Sequence, residues 1–222
     1  MADKSQKEAF LKYEADNYFL RNKEVKYVAE KDFVVKVLQE YNGAPKNVLE
    51  IGCNTGYRLE GIRTLFPGSK VSGIEPSSEA IAKGKSDYPK VDFVKGTADD
   101  MTMFNKNSFD LVIIGFVLYV IDRDILLKVI AETDRVLSDG GILMIIDFFA
   151  DKPTRNPYQH IKEMDAFAFK QNYDEIFLAT KLYHTIDKRA LSHTTKTYDL
   201  SGDYHNKYSL TTLRKDLTAG YK

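Results

Sequence analysis

Between about residues 47 and 148, apolar and polar positions alternate between two rhythms. Short apolar runs have the length and composition of buried strands: Asn47 to Ile51, Lys70 to Ile74, Val91 to Lys95, Phe109 onward, and Ile142 to Phe148. Between them, apolar residues recur at helical spacing: Leu59, Ile62 and Leu65; then Ser78 to Lys85; then Ile125, Leu126, Val129, Ile130, Val136 and Leu137. Asp124 is expected to open the last of these helices and Ser138-Asp139-Gly140-Gly141 to stop it. Strand and helix in alternation predict a parallel α/β sheet. Upstream, Phe33, Val34, Val37 and Leu38 predict an amphipathic helix over Asp32 to Tyr41, capped by Asp32 and ended by Asn42-Gly43-Ala44-Pro45. Residues 1–31 read as one or two short helices packed on the domain. After the alternation stops, residues 150–172 read as an irregular insert and Asn172 to Thr180 as a helix. Tyr183 to Leu191 and Lys207 to Lys215 read as a final pair of strands.

The first strand runs straight into Glu50-Ile51-Gly52-Cys53-Asn54-Thr55-Gly56-Tyr57. Strand, glycine loop and helix form the nucleotide site of an open α/β sheet, outside the carboxyl end of the strand. The dinucleotide fingerprint asks for glycines at relative positions one, three and six. Those positions are Gly52, Asn54 and Tyr57, which argues against a nicotinamide dehydrogenase. Glycines at positions one and five, with an acid two before the first, suit a ligand without a pyrophosphate, whose amino-acid end lies over the loop. Asn54 tolerates positive φ better than most residues.

Three further strand ends carry chemistry. Glu75 closes the second strand, at the place where a carboxylate accepts two hydrogen bonds from a ribose diol. Gly96-Thr97-Ala98-Asp99-Asp100 closes the third. Asp99 is the candidate acceptor for an exocyclic amine; Asp100 could take that task, or one of the two could cap the next helix. The fourth strand ends near Phe116 and Tyr119. Tyr18-Phe19-Leu20-Arg21-Asn22 reads either as packing beside a solvated Arg or as a lid, with Arg21 pairing a ligand carboxylate.

The charge balance narrows the partners. Among 222 residues there are 32 Lys plus Arg and 32 Asp plus Glu. A net charge of zero supplies no footprint for nucleic acid or an anionic membrane. The apolar run Leu111 to Ile121 is too short to span a bilayer. A single cysteine, Cys53, leaves no internal disulfide or cysteine zinc cluster, and points to a reducing compartment, most simply the cytoplasm. No N-terminal apolar segment resembles a signal peptide.

Five motifs in order carry a resemblance: Val48 to Gly56; Gly73-Ile74-Glu75-Pro76-Ser77; Gly96 to Met101; Ser108-Phe109-Asp110-Leu111-Val112; and Arg135 to Gly141. Together, over about residues 30–150, they resemble the class I S-adenosylmethionine-dependent methyltransferases of small-molecule type. The resemblance implies a Rossmann-like seven-stranded sheet, mostly parallel with the last strand antiparallel, and helices on both faces. It implies one methyltransferase domain over 1–222, with N-terminal helices or a lid (1–45), a cofactor core (46–149), and an acceptor insert with the final strands (150–222). The implied cofactor is S-adenosyl-L-methionine. Gly52, Cys53, Asn54 and Gly56 would contact its methionine part, and Glu50 would hold the amino group through the loop. Glu75 would bind the ribose; Thr97, Ala98 and Asp99 would meet adenine, with Pro76 and Phe116 beside the ring and Tyr18 and Arg21 on the lid. The sequence departs from the family at Asn54, often glycine, and at Thr97, often an acid.

Residues 156–173 are similar to methyltransferases encoded in bacterial surface-polysaccharide clusters, which implies a sugar-related or other small polar acceptor. The implied protein is a monomer or homodimer that needs no metal. If the acceptor is a hydroxyl, His160 in the insert is the first candidate base, with Tyr158, Tyr119 and Tyr173 orienting the acceptor. His184 and His193 read as strand residues, His205 as a surface-loop residue and Cys53 as structural. A different class of reading is a catalytically silent S-adenosylmethionine-binding regulatory or scaffold protein.

Overall fold

The computed structural model describes residues 5–41 and 43–218; Asn42, expected in the turn after the first amphipathic helix, lies outside them. Seven strands form one sheet: β1 (Asn47–Ile51), β2 (Lys70–Glu75), β3 (Asp92–Lys95), β4 (Phe109–Gly115), β5 (Leu137–Phe148), β8 (Tyr183–Ser192) and β9 (Lys207–Lys215). Their order is β3-β2-β1-β4-β5-β9-β8. The first five run parallel, and β9 is antiparallel to both β5 and β8. This is the expected seven-stranded arrangement. The order reverses beside β1, so the β1 and β4 ends flank the switch point, where open sheets bind ligands.

The strands are apolar on both sides because both are covered. Val48, Val71, Leu111 and Ile113 pack against Val34, Val37, Leu59 and Ile62 from α3 (Phe33–Glu40) and α4 (Tyr57–Leu65), with Ile81 of α5 (Ser78–Asp87). Leu49, Ile51, Val112, Ile114, Leu143 and Ile145 face Val129 and Val136 of α6 (Leu126–Val136) and Phe177 of α7 (Asp174–Ala179). These residues follow the period-2 and helical spacings of the sequence.

Several boundaries differ from expectation. β4 stops at Gly115, and Phe116 turns the chain with φ 53° before a 3₁₀ turn over Leu118–Val120. Asp122, not Asp124, caps the turn that leads into α6: its carboxylate accepts the Asp124 N–H (3.2 Å). α6 ends at Val136 without help from Gly140-Gly141, which lie inside β5. A register irregularity between Phe109 and Leu111, with Gly140 at φ 74°, absorbs the extra residues. Within the insert, β6 (Thr154–Pro157) and β7 (Phe167–Lys170) pair as an antiparallel hairpin. At the N-terminus, α1 (Gln6–Ala9), a π-helical turn over Phe10–Glu14 and α2 (Ala15–Asn22) form one continuous strap across the rim. Among the described residues, no helix is long and apolar enough to cross a membrane.

Candidate functional site

A cleft opens at the carboxyl ends of β1, β2, β3 and β4, beneath the strap. The loop after β1 forms its floor. Gly52 has φ 73°, and a Cβ there would lie 2.4 Å from Val117 Cγ2, so only glycine fits under the β4 turn. Gly56 has φ 75° and opens α4; its missing side chain admits the Phe93 ring, 2.6 Å from an ideal Cβ, and not a ligand. Asn54 adopts φ 51°, the positive value expected of it, and lines the cleft. Cys53 is buried with its Sγ packed under Gly73, away from the cleft wall.

Three buried carboxylates at or just beyond the strand ends line the cleft. Glu50 is salt-bridged by the largely covered Arg58, which also donates from Nε to Asp32 (2.9 Å). Glu50 Oε2 has no hydrogen-bond partner among the described residues. Burial pushes the Glu50 carboxyl above its usual range, with the Arg58 charge opposing. Glu75 accepts the backbone N–H groups of Asn54 and Ser77, both at 2.9 Å, so it braces the β1 loop and the start of α5. Burial raises its carboxyl too, against those two hydrogen bonds. Asp99 accepts Lys7 Nζ at 2.8 Å through Oδ2, while Oδ1 is buried without a partner. Burial acts to raise this carboxyl, but the Lys7 hydrogen bond and charge outweigh it and hold it below the usual range.

The strap roofs the cleft with Phe10, Leu11, Glu14 and Tyr18. Glu14 is paired with Arg21 and also accepts from Tyr158 Oη (2.5 Å). Arg21 is therefore committed to a protein carboxylate and is absent from the cleft wall, contrary to the expected ligand pairing. Tyr18, Pro76, Thr97, Ala98 and Phe116 all line the cleft. Tyr119 and Tyr158 line it too, their ring centroids 6.5 Å apart.

His160 does not reach the cleft wall. It is exposed, and its ring leans on the outer side of the Tyr158 contact at 5.4 Å. Tyr173 is buried and donates to Phe169 O (2.8 Å), so it supports β7 instead of facing a ligand. Another histidine packs beside a different cleft residue, Phe116. His193, at the end of β8, lies 5.0 Å from the Phe148 ring and 6.0 Å from Phe116. Burial, and then Lys196 and Lys170, lower its pKa, favouring a neutral imidazole.

Sequence reading missed Arg58, Lys7 and His193. Arg58 lies in the first turn of α4, and the loop brings it back onto Glu50 in β1. Lys7 and His193 reach the rim only through pairings that carry no local sequence mark.

Residues 48–141 match the model of a methyltransferase-domain family. Over 100 residues the chain is 34% identical to a demethylmenaquinone methyltransferase of Chlorobaculum tepidum, covering 45% of this chain and 40% of that protein. Over 102 residues it is 29% identical to an uncharacterized methyltransferase of Synechocystis, covering 46% and 47%. The chain spans about half the length of the curated relatives it matches. Among solved structures, Burkholderia thailandensis 1,6-didemethyltoxoflavin-N1-methyltransferase, with bound 1,6-didemethyltoxoflavin and S-adenosylhomocysteine, shares the fold. Its TM-score is 0.71 at 15% identity, covering 97% of this chain and 92% of that one.

Proposed function

We propose, from the match of residues 48–141 to a methyltransferase-domain family model and from the class I S-adenosylmethionine-dependent fold, that the chain transfers a methyl group from S-adenosylmethionine to oxygen or nitrogen of a small polar acceptor. The observation that carries this reading is the pair of orphaned carboxylate oxygens in one cleft. Glu50 Oε2 lies at the β1 loop, and Asp99 Oδ1 lies beyond β3. Buried acceptors are rarely left unpaired. The cofactor carries a donor at each end, an α-ammonium and an adenine amine, and each would complete one of these acceptors. Glu75 stands between them on β2, with a lone pair left on each oxygen for a ribose hydroxyl. The donor set therefore fits the group.

Held by Glu50, Glu75 and Asp99, the cofactor would supply an electrophilic methyl carbon carried on a sulfonium leaving group. The chain's own residues bind, orient and dry the site. Arg58 fixes the Glu50 carboxylate, and Lys7 fixes Asp99. The strap and Tyr158 cover the cleft against water. Alignment of the reactants supplies on the order of 7 kcal/mol of the barrier reduction.

We take the whole chain as one unit: N-terminal helices and lid 1–45, cofactor core 46–149 and acceptor side with the final strands 150–222. A sugar-related acceptor draws support only from the likeness over 156–173, and much of β6 there is exposed.

Calorimetric titration with S-adenosylhomocysteine tests the reading. The chain should bind it, and Asp99→Asn and Glu75→Gln should each weaken binding about tenfold or more, because each loses a charge-assisted hydrogen bond of about 1.5–3 kcal/mol. Absence of binding by the unaltered chain, or unchanged affinity in both variants, would refute it.

A further inference from the structure

Beyond the cofactor cleft, the ends of four strands meet in a second cluster. Phe116 follows β4, Phe148 ends β5, His193 follows β8, and Tyr208 begins β9. β9 runs antiparallel, so its start lies at the same edge of the sheet as the other three ends. Phe116 packs against Phe148 at 5.3 Å and Tyr208 at 5.5 Å, and His193 completes the ring of contacts. Phe116 also lines the cofactor cleft, and Tyr119, another cleft residue, lies 5.1 Å from Phe148. The cluster thus adjoins that cleft through Phe116 and Tyr119.

Two ammonium groups converge on it. Lys170 Nζ lies 4.9 Å from the centroid of Phe148, and Lys196 Nζ lies 5.3 Å from that of Tyr208. Both act on His193. Lys170 donates to the His205 carbonyl (2.6 Å), and Asp203 acts on it from longer range. Among the described residues, neither ammonium has a carboxylate within 4.0 Å. Burial lowers the pKa of each. Held cations without an anion are costly, and cation–π contact offsets only about 0.5–2 kcal/mol. The imidazole nitrogens of His193 likewise have no hydrogen-bond partner among the described residues.

Resting on the methyl-transfer reading, we propose that the acceptor is an anionic molecule with a flat or apolar face. The face lies on Phe116 and Phe148, the anion sits between Lys170 and Lys196, and the hydroxyl or N–H to be methylated points at His193. His193 then takes the proton that the acceptor atom releases, and becomes an imidazolium beside the bound anion. A carboxylate on an aromatic ring and a phosphate on a sugar both satisfy this chemistry.

The test uses the full chain saturated with S-adenosylhomocysteine. Calorimetry measures 4-hydroxybenzoate and glucose 6-phosphate, with methyl 4-hydroxybenzoate and glucose as neutral counterparts. One anion should bind at least about tenfold tighter than its neutral counterpart, and which one binds distinguishes the aryl carboxylate from the sugar phosphate. The double variant Lys170→Gln/Lys196→Gln should lose about tenfold for that anion while its S-adenosylhomocysteine affinity stays unchanged. The His193 imidazole resonance, assigned through His193→Gln, should shift on addition of the anion. Failure of both anions to bind the loaded chain, or binding by the double variant within about twofold of the parent, overturns the proposal and leaves methyl transfer standing. Failure of S-adenosylhomocysteine itself to bind overturns both.

Discussion

Asp147 shows how a residue outside the cleft sets its shape. Its carboxylate accepts the N–H groups of Phe148 (2.8 Å) and Tyr119 (3.3 Å), and so ties the β4 turn to the end of β5. Burial pushes this carboxyl up to about 7, against the backbone donors of Phe148, Tyr119, Leu118 and Val117. The folded state therefore binds the proton more tightly than the unfolded chain does. The stabilisation from this group is complete below about pH 4 and is lost as pH rises towards about 7. Asp147→Asn should flatten the fall in melting temperature across that window, read by scanning calorimetry at several pH values; a slope equal to the parent's would contradict this. Glu75 and Asp99 were legible in the sequence because an acid at a strand end is a local pattern. Arg58 was not, because its partner Asp32 lies a helix away. Asp32 was legible only as a cap; it does accept the Val34 N–H (2.8 Å) while it also holds Arg58. His160 was misleading for the converse reason: its aromatic neighbourhood is real, but the insert turns it outward.

The strap is the element on which access depends. Gln6 donates to the carbonyls of Val120 (2.8 Å) and Phe167 (3.0 Å) and accepts the Phe167 N–H (2.9 Å), stitching α1 to the β4 turn and to β7. At the other end, Asp16 accepts from Ser77 Oγ (2.6 Å) and from the Glu79 N–H (3.3 Å). The π-helical turn between these anchors presents Phe10 and Glu14 to the cleft. Each anchoring hydrogen bond contributes about 1 kcal/mol. Gln6→Ala/Asp16→Ala should therefore raise amide exchange over residues 6–22 about tenfold or more and speed the release of S-adenosylhomocysteine. Exchange unchanged from the parent would show that the strap is held by its apolar contacts alone. The sequence marked these helices as packing elements because their apolar residues are sparse but aromatic. It did not mark the β6–β7 hairpin, whose four-residue strands lack alternation, nor the early start of β5, where pairing with Phe109 overrides the glycines.

Across the whole molecule, the rim divides into two halves that meet at β4. The β1–β3 half offers carboxylates, whereas the β5–β9–β8 half, with the β6–β7 hairpin beside it, offers aromatic rings and lysines. Periodicity made the strands legible apart from the start of β5 and the end of β4, and the half proposed to take the cofactor followed from it, since each strand there ends in its own motif. The half proposed to take the acceptor was opaque, because it exists only when β8 and β9, remote in sequence, close the sheet beside β5. The central claim is that Glu50 and Asp99 hold the two ends of one ligand. A crystal structure of the complex with S-adenosylhomocysteine tests this most directly. The account predicts the ligand's amino group within about 3 Å of Glu50 Oε2 and its adenine amine at a similar distance from Asp99 Oδ1. A ligand bound in the reverse direction, or a cleft left empty at saturating concentration, would contradict it.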